Sequence, residues 1–243
     1  MKITTVILFY YQQRRQNLPK LVDTLLNGSR KPDKILILNN NPDVTLKPIK
    51  GTTILNSSQN FVTRARFAIA LLEPSDYYLF VDDDLMVEKD TLKNFERYAD
   101  SDYCLGYFGK NIDWGKKDKY TSAITVKATE ITEPMIVDVI VGRIYLVSMK
   151  ALLNFFRVEP KLAMTKNRYL RSVEDVAISS FNKCKIIPAK DWSFIHSFEE
   201  DKIGLSHNPQ HLLARNQFLE KVALIKKGKT IICQAKKEKL FSK

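Results

Sequence analysis

"YYLFVDDDLMV", residues 77–87, runs five apolar residues into three adjacent aspartates and then resumes with Leu85, Met86 and Val87. The apolar run reads as a buried strand. Ionised carboxylates taken out of water without partners cost on the order of several kcal/mol each, so three in a row at its end need open water or a cation. An exposed turn supplies the first. A hard divalent cation, with an anionic diphosphate completing its coordination shell, supplies the second, and the apolar residues on both sides favour it.

The neighbouring stretches set this strand in a pattern. "ITTVILFYY" has the β-branched and aromatic composition of a buried strand, and Asn17 to Leu26 carries apolar residues at 18, 21, 22, 25 and 26, a helical spacing. Pro19 suits the first turn of that helix and Gly28 its end. "KILILNNN" and "TILN" read as further strands, and a helix is expected from Phe61 to Leu72 with Phe67, Ala68, Leu71 and Leu72 on one face. Strand and helix thus alternate over residues 1–100, the signature of an α/β fold with a mostly parallel sheet. Such sheets bind ligands beyond the carboxyl ends of their strands. Tyr10 to Arg15, Asn39 to Asn41 and Asp82 to Asp84 should therefore converge on one crevice.

The second half is less regular. "DVIVGRIYLVS" looks like a strand interrupted at Gly142, where a backbone or ligand approaches closely. "KALLNFF" is a helix, residues 159–171 are basic and irregular, and a short helix should start near Val173. In "SVED", Ser172 three residues before Asp175 fits a capping box, which accounts for one acid and leaves Glu174 unexplained. Asn208 reads as an N-cap with Pro209 at the first helical position, which puts His211 and Arg215 four apart on one helix face.

At 243 residues and 44% hydrophobic, the chain has material for one substantial core. The expected organisation is one domain over 1–225, with a nucleotide half to about residue 100 and an acceptor half over 101–225, followed by a basic tail over 226–243. Cys104, Cys184 and Cys233 are widely spaced and odd in number, which argues against a disulfide framework or a zinc site. No run approaches the roughly 18 apolar residues that span a bilayer. With no leader pattern, a cytoplasmic location is expected. The net charge of +12 points to anionic partners. The tail "KKGKTIICQAKKEKLFSK" reads as a solvated extension or, with its interspersed apolar residues, as a peripheral membrane contact.

A strand-terminal Asp-x-Asp with the later acidic pair Glu174 and Asp175 resembles the GT-A glycosyltransferases. The ordered set "VILFYY", "LNNN", "RARF", "FVDDDL", "VGRIYLVSMKALLNFF", "VEDVAISSF" and "GLSHNPQHLLARNQFLEKV" resembles the exostosin-like domains of glycosyltransferase family 64. That resemblance implies a single GT-A domain and Mn²⁺ or Mg²⁺ held by Asp84 and Asp82, with His207 as a further ligand and Asp82 or Asp83 reaching the ribose or metal-bound water. It implies donor contacts from Asn39 or Asn40, Asn60, and Arg66 or its rival Arg64. The His-x-x-x-His-x-x-x-Arg spacing implies that Arg215 binds the departing diphosphate beside His211, and the acid pair implies catalysis by Asp175 with Glu174 beside it. Where the family carries Thr-Tyr-Asn-Arg this chain has "FYYQQRR", which leaves Tyr11 and Arg14 as substitutes for the uridine contact. His196 is a weaker candidate ligand.

The expected activity is metal-dependent transfer of a sugar from a nucleotide sugar, UDP-linked and with retention, to a glycan or lipid-linked hydroxyl. The acceptor would be sorted by the loops Gly109 to Tyr120 and Glu159 to Arg171. Retention would proceed by front-face displacement assisted by the leaving diphosphate. The rivals are an inverting family 2 transferase with Asp175 as general base, a nucleotidyltransferase, and a basic nucleic-acid-binding protein; no nucleic-acid motif supports the last.

Overall fold

The computed structural model describes residues 1–158, 169–189, 195–197 and 208–241, with backbone alone for 158, 195–197 and 226–241. The first part of the chain runs β1 (Ile3–Phe9), α1 (Asn17–Leu26), β2 (Lys34–Asn39), β3 (Thr53–Asn56), α2 (Ala65–Ala70) and β4 (Tyr77–Asp82). Then come β5 (Leu85–Val87), α3 (Thr91–Arg97), β6 (Tyr103–Gly106), β7 (Phe108–Asn111), β8 (Ile124–Lys127), β9 (Met135–Val137), β10 (Val139–Ile140) and β11 (Ile144–Ser148). The described chain ends with α4 (Met149–Val158), α5 (Glu174–Phe181), β12 (Lys183–Ile186), β13 (Ile195–Ser197) and α6 (Pro209–Phe241).

Eight strands form the main sheet in the order β3-β2-β1-β4-β11-β6-β12-β9. The β3–β2, β2–β1, β1–β4 and β12–β6 pairs are parallel, and β11 enters antiparallel between β4 and β6. The fold is α/β with a mixed, mostly parallel sheet, as the alternation of elements requires. Every residue of β1 is buried, as befits a strand covered on both faces. The Thr4 hydroxyl is within 2.6 Å of the Ser75 hydroxyl, so a polar side chain in this strand is paired. Leu18, Leu21, Val22 and Leu25 of α1 bury one stripe, and Phe67 joins the core edge-on between Phe80 and Phe155.

Several local expectations differ from the structure. The α2 helix is shorter than Phe61 to Leu72, and its buried face is Arg66, Phe67 and Ala70; Ala68, Leu71 and Leu72 are exposed. Val62, at φ 61°, lies in the left-handed region and breaks the helical path before it starts. Residues 138–148 form two strands in different sheets, β10 and β11, separated around Gly142. The N-cap position of α5 is taken by Val173, one residue later than the capping box expected from Ser172, and the Asp175 carboxylate accepts from Val176 N at 2.8 Å. At α6 the expected cap is present, with Asn208 Oδ1 accepting from Gln210 N at 2.9 Å. Cys104 and Cys184 are free thiols. Among the described residues no helix is long and apolar enough to cross a membrane.

Candidate active site

The carboxyl ends of β1, β2 and β4 open on one cavity of about 310 Å³. Tyr10, Tyr11 and Arg14 reach it from beyond β1, Asn40 from beyond β2, and Asp82, Asp83 and Asp84 from the end of β4. The wall opposite the sheet half is made by Gly142, Arg143, Glu174, His211 and Arg215. The three polar strand ends therefore meet where chain polarity alone puts them.

The aspartates have three different environments. Asp83 is buried and accepts from Arg14 Nη1 at 2.7 Å; burial pushes its carboxyl up to about 7 against the pull of Arg14. Asp82 keeps 27% of its side chain exposed and lies 2.9 Å from Arg66 Nη1. Burial raises it to about 6 and the Arg66 guanidinium opposes the rise. Asp84 lies 3.2 Å from Arg14 Nη2 and 3.7 Å from Arg143 Nη2. Its Oδ1 is buried with no hydrogen-bond partner among the described residues.

That orphaned oxygen beside two more carboxyls fits a hard cation. Among the described residues no three His, Cys, Asp or Glu side chains converge as a complete metal site, so a bound ion would take the rest of its shell from donor phosphates and water. Asp84 and Asp82 are the side chains that fit, since Asp83 is committed to Arg14. His207, the other expected ligand, lies outside the described residues. His196 is placed by its backbone alone, opposite Met86 in the β13–β5 ladder.

Neighbouring residues in the sequence part company here. Asn40 lines the cavity and donates to Asn60 Oδ1 at 3.0 Å and to Val62 O at 3.2 Å. Asn39, fully buried, donates to Val44 O and to Asn56 Oδ1 and ties β2 to β3, away from the cavity lining. Arg66 lines the cavity; Arg64 instead donates to Leu170 O at 2.6 Å and lies over the Phe218 ring. Arg14 sits over the Tyr11 ring, 5.0 Å from its centroid, so the two proposed substitutes act as one unit.

Glu174 and Asp175 are both buried but differ in partners. Asp175 Oδ2 accepts from Arg215 Nη1 at 2.9 Å and Gly142 N at 2.8 Å, while Oδ1 accepts from Val176 N. Burial would raise its pKa, yet Arg215 and these backbone donors outweigh burial and hold the carboxyl below the usual range. Glu174 lines the cavity and is raised by burial, partly opposed by Arg66, with Thr63 Oγ1 donating to its Oε2. A carboxyl raised by burial is a better proton acceptor than one held ionised by an arginine.

His211 is buried, and its Nε2 is 3.1 Å from Ser172 O, which makes that nitrogen the N–H donor. Burial and then Arg215 lower its pKa, which favours the neutral ring, and Nδ1 is buried without a hydrogen-bond partner among the described residues. The residues not singled out by their sequence context are Thr63, Arg143 and Tyr120. Tyr120 OH accepts from Arg215 Nη1 at 2.9 Å, and its ring lies 4.7 Å from the guanidinium. Tyr120 closes the loop expected to sort acceptors, and Arg143 follows the flagged glycine; Thr63 had no signal beyond its place before "RARF".

The model of the family described as "Glycosyl transferase family 2" matches residues 5–155. No curated protein matches the chain. Among solved structures, GalNAc-T7 with UDP, GalNAc and Mn²⁺ is similar at a TM-score of 0.57 and 11% identity, covering 90% of this chain and 48% of that one. S. aureus TarS 1–349 is similar at a TM-score of 0.52 and 13% identity, covering 81% and 60%. The same fragment in complex with UDP-GlcNAc gives 0.51 and 12%, covering 83% and 59%. The chain spans about half the length of the first and three fifths of the other two. These likenesses establish the GT-A architecture.

Proposed function

The chain belongs to glycosyl transferase family 2, and from that footing we propose that its cavity binds a UDP-linked sugar with a divalent cation and transfers the sugar to a hydroxyl of a glycan or lipid-linked acceptor. The observation that carries the reading is the convergence of the Asp82–Asp84 carboxylates, four arginines and Glu174 on one cavity at the carboxyl ends of parallel strands. Asp84 and Asp82 would hold Mn²⁺ or Mg²⁺, which supplies Lewis-acid stabilisation of the leaving diphosphate. Tyr11, Arg14, Asn40 and Asn60 line the nucleotide side. Arg66 and Arg215 offset negative charge as the glycosidic bond breaks. Arg143 lies beside Asp84 and serves the same end of the donor.

Family membership favours inversion, in which a carboxylate takes the acceptor proton as its oxygen attacks the anomeric carbon. We assign that role to Glu174, because it faces the cavity with a raised pKa while both oxygens of Asp175 are occupied. Asp175 then holds Arg215 and the Gly142 backbone in place. The retaining course implied by the exostosin-like resemblance is the second reading. The four cavity arginines favour it, since a leaving diphosphate they hold in place can itself take the acceptor proton.

The deciving experiment has two parts. UDP release from a panel of UDP-sugars is followed with Mn²⁺ and with EDTA, and the anomeric configuration of the transferred sugar is read by NMR. Inversion with loss of at least a hundredfold in Glu174→Gln, about 3 kcal/mol of barrier, is expected. Retention with an active Glu174→Gln would support the second reading, and absence of metal-dependent nucleotide-sugar binding would remove both.

A further inference from the structure

We infer that Thr63 is a positioning residue for the reaction: the turn formed by residues 60–63 holds its hydroxyl on Glu174 and so sets how that carboxylate is presented to the acceptor. The inference rests on the reading of Glu174 as the base. It starts from an anomaly. Val62 is β-branched, yet its φ of 61° lies in the left-handed region, a strained conformation for such a residue.

The strained turn is tied down from several directions. Asn60 Oδ1 accepts from Val62 N at 2.8 Å and from Asn40 Nδ2 at 3.0 Å. Asn40 in turn accepts from Phe61 N at 2.9 Å and donates to Val62 O at 3.2 Å. Asn40 is itself buried beyond the end of β2, so the turn is fastened to the sheet and not to solvent. Val62 O also accepts from Ala65 N, and Thr63 O from Arg66 N, each at 3.3 Å, which starts α2 directly after the turn.

The result is a two-point grip on one carboxylate. Thr63 Oγ1 donates to Glu174 Oε2, and Arg66 Nη1, three residues on, lies 3.9 Å from Oε1. Both partners come from one turn-and-helix unit, whereas Glu174 belongs to α5 in the other half of the chain. A relaxed residue at 62 would send the backbone of Thr63 elsewhere, and Glu174 would lose the hydroxyl while keeping the long contact to Arg66. Strain at this position therefore serves the orientation of a reacting group, the use for which such conformations are retained at functional sites.

The test uses the UDP-sugar that the wild type hydrolyses fastest with Mn²⁺, and compares Thr63→Val, Thr63→Ser, Glu174→Gln and Thr63→Val/Glu174→Gln. Thr63→Val is expected to lower kcat about ten- to a hundredfold, the usual worth of a hydrogen bond to a charged group, with the Kd for UDP unchanged. Thr63→Ser should restore the rate to within about threefold of wild type, as a hydroxyl at the same atom does. The double variant should be no slower than Glu174→Gln alone. Wild-type kcat in Thr63→Val with Glu174→Gln inactive would overturn the positioning role, as would additive losses or a parallel loss of UDP affinity. Full hydrolysis by Glu174→Gln would instead overturn the assignment of the base, and the two failures are thereby told apart.

Discussion

Glu174 and Asp175 are adjacent carboxylates at the head of one helix, and surroundings give them different chemistry. Asp175 forms a buried pair with Arg215, 2.9 Å apart, and removing one member of such a pair leaves an unpaired buried charge. Asp175→Asn is therefore expected to lower the unfolding free energy by about 3–5 kcal/mol in urea titrations at neutral pH. The depressed pKa gives a sign for pH. The Asp175 contribution is fully present above its unfolded value, near 3.8, and is lost as pH falls through the lower folded value. Asp33 is depressed too: burial opposes the shift, but the Ile3 N–H and Arg30 outweigh it. Stability should accordingly decline below about pH 4, less steeply in Asp175→Asn than in the wild type. Asp84→Ala, by contrast, removes a carboxylate whose Oδ1 has no hydrogen-bond partner among the described residues, and Arg14, 3.2 Å from Oδ2, keeps its bond to Asp83. Expected is a fold stable to within about 1 kcal/mol of wild type with metal-dependent turnover abolished, read by circular dichroism melts beside UDP release.

At the scale of an element, the segment 138–148 decides how the two halves of the site meet. The observed break turns β10 into the three-stranded sheet and β11 into the main sheet, with Gly142 N donating to Asp175 in between. A Cβ at Gly142 would lie 3.0 Å from Asp175 Cβ and 3.3 Å from the Tyr145 ring. Gly142→Ala should cost about 1–3 kcal/mol of stability and lower turnover at least tenfold, because the crowding falls on the residue that holds Arg215. Periodicity reached the interruption but not its geometry. For α2 periodicity misled: apolar residues at 67, 68, 71 and 72 do mark a helix, but Leu71 and Leu72 are exposed and Arg66 is buried. A charged residue on the buried face is invisible to hydrophobic spacing, since its burial is compensated by Asp82 of β4.

For the whole molecule, the cavity lies between a parallel half, β3-β2-β1-β4, and the half that begins with antiparallel β11. A donor with its cation would touch both halves, so binding should stabilise the folded chain as a unit. UDP with Mn²⁺ at a hundredfold excess over Kd is expected to raise the unfolding free energy by about 2.7 kcal/mol, seen as a higher Tm. Asp84→Ala, or EDTA, should abolish the shift, and DNA or RNA should not produce a comparable one. The charge of +12 is a property of the surface as a whole, and inside the cavity the four arginines face the four carboxylates Asp82, Asp83, Asp84 and Glu174. Net charge therefore indicates anionic partners without locating where they bind.

The amino-acid sequence by itself determined the α/β class, the limits of α1, the cap at Asn208 and the meeting of three polar strand ends, because these follow from local periodicity, turn chemistry and the direction of parallel strands. It also singled out Asp82 to Asp84, Glu174, His211 and Arg215, which line one cavity, and Asp175, which holds Arg215 there, as candidates for the chemistry. Only tertiary structure decided between neighbours: Asn40 over Asn39 and Arg66 over Arg64 at the cavity, Glu174 over Asp175 as the carboxylate facing it. Such choices depend on which way a side chain points and what meets it there. The partners are distant in sequence, as with Thr63 and Glu174 or Gly142 and Asp175, and packing alone brings them together.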